Sequence, residues 1–199
     1  MKRSIFLAAL ATLTSGAALA QSSVTVYGRL NVSAERQKDG DTTINALQNN
    51  ASRIGFKGTE DLGGGLKASF LLEHGFNADT GAASGGAAGF WGRESWVGLE
   101  GSFGKVRLGN MGPTAGYFAT ADYISMHNHD TGSSEDKLYA YVGRNANKVA
   151  YRTPALGGLT LEVATSLKET NASTPKNTTD FAANYAAGPL QLGFGYEKN

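Results

Sequence analysis

The sequence predicts an all-β protein, an antiparallel transmembrane β-barrel of which about nine strands are present. Three observations carry this. Apolar and polar residues alternate with period two in segment after segment beyond residue 20, the pattern of strands with two unlike faces. The connections between those segments alternate between tight Gly-rich turns and long polar stretches, which is how the two ends of an outer-membrane barrel differ. The first twenty residues have the form of an export signal. Composition agrees. Gly makes up 27 of 199 residues, roughly twice the ~7% average, as many tight turns require. Beyond residue 20 no apolar run approaches the ~18 residues of a membrane helix.

In chain order, Lys2 and Arg3 form a short basic region, residues 5–13 an apolar run, and Ala18-Leu19-Ala20 a small-residue cleavage site before Gln21. Residues 1–20 therefore read as a secretory signal peptide, and residues 21–199 as a partial barrel domain. Val24, Val26, Leu30, Val32 and Ala34 alternate with Tyr27, Arg29, Asn31, Ser33 and Glu35, giving one long first strand over 24–35. The spacing places further strands over 53–57, 66–73, 93–99, 105–109, 147–153, 159–167, 180–186 and 190–196. Tight turns fall at 61–65, 101–104, 154–158 and 187–189, where Gly supplies positive φ. Long connections fall at 37–50, 78–89, 110–144 and 168–179.

Two environments satisfy such alternation. In water the apolar faces would pack together as a β-sandwich, giving a secreted or surface protein that binds ligands or host surfaces through its long loops. In lipid the apolar face turns outward, the polar face lines a lumen, and the sheet must close so that every backbone group is paired. Strand length, the export signal and the sorted connections favour lipid.

Four segments stand in order: Val24-Thr25-Val26-Tyr27-Gly28-Arg29-Leu30, then residues 52–63 (Ser-Arg-Ile-Gly-Phe-Lys-Gly-Thr-Glu-Asp-Leu-Gly), then Arg93-Glu94-Ser95-Trp96-Val97-Gly98-Leu99, then Phe103-Gly104-Lys105-Val106-Arg107-Leu108-Gly109. With these motifs the mature chain resembles the general diffusion porins of Gram-negative bacteria, especially the beta-proteobacterial branch. The resemblance implies a sixteen-stranded barrel in the cell outer membrane that assembles as a homotrimer. It also implies a third long loop folded into the lumen. Against that pattern the chain reads as the N-terminal part, without the C-terminal strands.

Phasing each strand by its apolar face puts ten basic residues on the lumen phase: Arg29, Arg53, Lys57, Lys67, Arg93, Lys105, Arg107, Arg144, Lys148 and Arg152. Five acidic residues share it: Glu35, Glu73, Glu162, Asp180 and Glu197. Glu94 falls on the lipid phase, where a carboxylate has no evident role. Charges lining a pore select ions by sign, so the excess predicts anion preference. The resemblance assigns Arg53, Arg93 and Arg144 to an arginine cluster at the pore constriction, with Arg29 on the same wall one strand away. The opposing wall is expected from the stretch 110–145, with Asp122 foremost because Tyr117, Phe118 and Tyr123 lie near it, and with Glu135 and Asp136 as further carboxylates.

Other signals carry less. His127, His129 and Asp130 lack a further ligand, so no metal is expected. Residues 63–67 resemble a phosphate loop only in glycine content, since no helix follows. Cys is absent, which excludes disulfides, thiolate metal sites and cysteine nucleophiles. His74, the one strand histidine, lies on the lipid phase, away from any serine at lumen height. No enzymatic activity is expected. A net charge of +1 gives no basis for a nucleic-acid partner. The expected partners are outer-membrane lipid and lipopolysaccharide, further copies of the chain, and the ions and small hydrophilic solutes that diffuse through the channel. No cofactor is needed.

Overall fold

The structure, a computed structural model, describes residues 23–84, 89–112, 144–169 and 177–198. The strands are β1 Ser23–Arg29, β2 Val32–Asp39, β3 Thr42–Asn49, β4 Arg53–Gly63, β5 Leu66–Gly75, β6 Glu94–Gly101, β7 Gly104–Met111, β8 Asn145–Arg152, β9 Leu159–Ser166, β10 Thr178–Ala187 and β11 Leu190–Lys198. Nine of them form one antiparallel sheet in the order β1-β4-β5-β6-β7-β8-β9-β10-β11. These are the nine segments that alternation predicts, joined as a meander. No described helix is long and apolar enough to cross a membrane.

The first long connection is not a loop. Residues 37–50, expected to be irregular, complete β2 and form β3, which pair as a hairpin from Val32↔Asn49 to Asp39↔Thr42 around Gly40 and Asp41. The predicted unbroken strand 24–35 is correspondingly split at Leu30 and Asn31. The cause lies across the ladder. Between Arg29↔Arg53 and Val32↔Asn49, two residues on one side oppose three on the other, as at a β-bulge. Ala51 takes the extra turn with φ 55°. Ser52 Oγ then accepts the Asn31 N–H at 3.0 Å, a bond the ladder no longer supplies. The β2–β3 hairpin thus extends the β1–β4 pair beyond an irregular step.

Register settles which residues share a face. Val26, Phe56 and Leu72 are successive cross-strand partners, as are Val24, Gly58, Phe70, Val97, Leu108 and Val149. Leu161, Ala183 and Phe194 continue the same face. This face is open: Val24, Val26, Val97, Leu192 and Phe194 are all more than half exposed. The opposite face carries the burial, with Lys148 1%, Asp180 1%, Glu162 2%, Ala150 2% and Ala182 0% exposed. Strand contacts run between hydrogen-bonded neighbours, so among the described residues no second sheet covers the apolar face, as a sandwich requires. Apolar side chains outside and charged ones inside is the arrangement that suits hydrocarbon.

His74 fits this outward face by being covered. Its ring stacks on Phe90 at 3.8 Å between centroids, and its Nδ1 hydrogen-bonds to the Phe90 carbonyl oxygen. Trp91 packs edge-on against Phe90, His74 and Phe56.

Candidate functional site on the polar face

Two charge clusters occupy the polar face, each built around one carboxylate. The first belongs to the ends of β1, β4 and β5 nearest the long connections. Tyr27, Gly55, Glu73 and Glu94 are successive cross-strand partners, and the next row holds Arg29, Arg53 and Gly75. Arg93 Nε donates to Glu73 Oε1 at 2.5 Å, and Tyr27 hydroxyl donates to Glu73 Oε2 at 2.7 Å. Arg53 Nε lies 3.7 Å from Glu73 Oε2. Gly75 lets the aliphatic stem of Arg93 cross it, since a Cβ there would sit 3.0 Å from Arg93 Cδ. Backbone carbonyls fix the other guanidinium groups: Arg29 donates to Asn50 O and Arg53 to Ala51 O, each at 3.1 Å. The irregular step at residues 50–52 therefore orients two of the arginines.

The second cluster lies toward the short turns. Glu162 accepts from Arg107 Nη2 at 2.7 Å and from Arg152 Nε at 2.6 Å. It ends a row of cross-strand partners: Asp61, Lys67, Glu100, Lys105, Arg152 and Glu162. The adjacent cations Lys105 and Arg152 turn apart, Lys105 toward Glu100 at 3.4 Å and Arg152 toward Glu162. Between the clusters Trp96 packs against Met111, Ala150 and Ala164, with Lys105 and Arg107 5.4 and 5.5 Å from its ring. Lys148 pairs with Asp180, both side chains fully enclosed.

Three of the four arginines expected on the basic wall lie near one another on this face. Arg53 and Arg93 share Glu73, and Arg29 stands opposite Arg53 in register. Arg144 is exposed just before β8, and its charge, with that of Arg107, bears on Glu94. Asp122, Glu135 and Asp136 lie outside the described residues, as do residues 1–22 and His127, His129 and Asp130. Among the described residues no cluster of His, Cys, Asp or Glu could hold a metal ion.

Glu94 requires a correction. It pairs with Glu73 and so belongs to the polar face, where it accepts the Gly112 N–H at 2.9 Å. Strict alternation from Arg93 misplaces it because Arg93 precedes β6 rather than beginning it. Asp61 and Glu100 also join this face, since β4 and β6 outrun their predicted ends. The basic excess is accordingly smaller than the sequence count. What remains is local: Arg53 and Arg93 converge on Glu73, and Arg107 and Arg152 on Glu162.

A family model described as Gram-negative porin matches residues 7–199. The chain belongs to the Gram-negative porin family. It is 37% identical to outer membrane porin protein 32 of Delftia acidovorans over 98% of its own length and 59% of the relative. It is 28% identical to the major outer membrane protein P.IB of Neisseria meningitidis, over 100% of the chain and 60% of that protein. The chain thus spans about three fifths of these relatives' lengths. Among solved structures, an anion-selective porin from Comamonas acidovorans superimposes with a TM-score of 0.70 at 29% identity, covering 89% of this chain and 57% of that one. OmpF of Salmonella typhi, solved with daunomycin, matches in fold at a TM-score of 0.67 and 18% identity, over 87% and 53% of the two chains. This porin chain is an outer-membrane protein whose sheet is part of a β-barrel.

Proposed function

We propose that the complete porin forms a water-filled channel through which ions and small hydrophilic solutes diffuse, with preference for anions. The carrying observation is the excess of guanidinium over carboxylate in each cluster: Arg53 and Arg93 on Glu73, Arg107 and Arg152 on Glu162. Glu73 and Glu162 each neutralise at most one of the two guanidinium charges that converge on them. Guanidinium keeps its charge across the physiological range, and fixed charge beside a narrow aqueous path selects by sign. Likeness to a solved anion-selective porin supports the same sign.

In this reading Arg29, Arg53, Arg93 and Arg144 form the basic side of the constriction. Asp122, Glu135 and Asp136 form the acidic side, from the connection after β7. Residues 1–20 direct export and are removed, which N-terminal sequencing of the mature protein would register as a start at Gln21. Three complete barrels assemble as a homotrimer, measurable by native mass spectrometry. Bilayer recording of the full-length protein under a salt gradient tests the function. A reversal potential on the anion side is expected, and a cation-side potential would reject the proposed preference.

A further inference from the structure

Arg93 and Glu94 are consecutive, yet both side chains lie on the polar face. Glu94 pairs with Glu73 in register, and Arg93 Nε reaches Glu73 Oε1 at 2.5 Å. A pleated strand sends neighbouring side chains to opposite faces, so the backbone has to turn between them. It does so in a bend at Arg93, immediately before β6. The residues leading into that bend are held from the other side of the sheet. His74 and Asn110 both belong to outward rows, His74 beside Ile54 and Asn110 beside Ser95. The Phe90 carbonyl can only accept, so His74 Nδ1 carries the proton and donates to it. Asn110 Nδ2 donates to the carbonyls of Trp91 at 3.3 Å and Gly92 at 3.1 Å. Three successive carbonyls are thus taken by side chains, just ahead of the point where the β5–β6 ladder starts at Glu73↔Glu94. The stack of His74 on Phe90 and the edge contact of Trp91 with Phe56 clamp the same stretch to β4 and β5.

We propose that His74 and Asn110 are positioning residues for ion selectivity: from the lipid-facing side they fix the path of residues 90–92 and so turn Arg93 into the lumen. Neither touches the ion path. Attraction to Glu73 explains less. An ion pair fixes the end of a flexible side chain, whereas here the backbone itself departs from alternation, and the groups that hold it are neutral. Continuing β6 by one extended residue would send the guanidinium outward, where a barrel wall tolerates charge poorly. Gly75 leaves the space through which the Arg93 stem passes inward. The inference rests on the proposed reading that the polar face lines the ion path, and the first measurement below does not depend on the sign of selectivity.

The 199-residue chain has no native Cys. Full-length porin carrying Arg93→Cys as its sole cysteine is recorded in bilayers while a membrane-impermeant anionic methanethiosulfonate is added to the aqueous phase. With the guanidinium gone, Glu73 no longer draws the side chain, and the clamp alone sets its direction. The thiol should react, read as a step in conductance. Adding His74→Phe and Asn110→Leu, which keep the stacking and the bulk but remove all three bonds, should slow the reaction about tenfold, as hydrogen bonds of ordinary worth imply. An equal rate would overturn the proposal, and so would a thiol that never reacts in the otherwise unchanged channel. Heat-resistant migration reports that each variant is folded. Should the paired variant fail to insert, His74→Phe alone decides through selectivity. With Arg93 in place it should lower the anion-to-cation permeability ratio about twofold to threefold, in the same direction as Arg93→Gln. In the Arg93→Gln channel it should change nothing further. His74→Asn, whose amide donates from the place of Nδ1, should keep the parent's ratio. No shift in His74→Phe, or an equal shift with and without Arg93, would refute the positioning role. The parent's own reversal potential decides the proposed anion preference separately: a cation-side value rejects that preference and leaves the labelling result to stand by itself.

Discussion

Glu73 is the residue on which the first cluster turns. Its two oxygens receive Arg93, Tyr27 and Arg53, so it both neutralises and positions the arginines. Replacing it by Gln leaves two cations facing each other on a wall with little water behind it. Breaking one side of a buried pair costs several kcal/mol when fully enclosed. Here the arginine side chains keep 18 and 22% exposure, and about 2 kcal/mol is the expected loss in urea unfolding of the barrel. The same variant should conduct anions more selectively, because one compensating charge is gone. Tyr27→Phe is the milder control. It removes one hydrogen bond, about 1 kcal/mol, and leaves the charge balance intact, so stability should fall while reversal potential stays put.

The elements were legible in the sequence wherever both faces of a strand are chemically distinct. All nine strands of the main sheet carry that alternation, and their turns carry the glycines that positive φ demands. The β2–β3 hairpin was half legible. Residues 32–35 alternate, but 36–39 are all polar and 42–49 read Thr-Thr-Ile-Asn-Ala-Leu-Gln-Asn, with polar and apolar residues mixed on both faces, so nothing in the pattern distinguishes strand from loop. Nor does the pattern disclose Ala51, whose φ of 55° an alanine adopts only because its surroundings impose it. Site residues followed the same division. Arg53 and Arg93 were found by resemblance, whereas Glu94 was misplaced because phase depends on where β6 begins, and that start is set by pairing with β5. Ser52 offers the test at this scale. It is buried, and its hydroxyl satisfies the Asn31 N–H. Ser52→Ala should cost about 1–2 kcal/mol for the orphaned donor and should speed amide exchange over 32–49, with β4 and β5 exchanging as before. Unchanged protection in the hairpin would show that the step does not hold it.

At the scale of the whole molecule, most inward charge is spent within the wall. Lys148 with Asp180, Lys105 with Glu100 and Arg152 with Glu162 pair off across strands of the sheet, which lets a densely charged face exist without a strong net field. If the complete channel prefers anions as proposed, that preference rests on the two places where two arginines converge on one carboxylate. A unit charge acting over ~5 Å is worth about 0.8 kcal/mol at the dielectric of water and about 3 kcal/mol at an effective value of 20. Low-dielectric walls around a constriction push toward the larger figure. Arg53→Gln or Arg93→Gln should therefore lower the anion-to-cation permeability ratio about fivefold or more in the full-length channel. Lys148→Met, which leaves Asp180 unpaired behind the wall, should act mainly on folding yield. Arg107→Gln and Arg152→Gln separate the clusters. If the Glu162 site also faces the ion path, each lowers the ratio as Arg53→Gln does, and joining either to Arg53→Gln multiplies the effects. Raising salt from 0.1 to 1 M shortens the screening length from ~10 to ~3 Å, so the parent channel's preference should shrink toward that of the double variant. A ratio that ignores all four arginines and the salt would place selectivity elsewhere in the barrel.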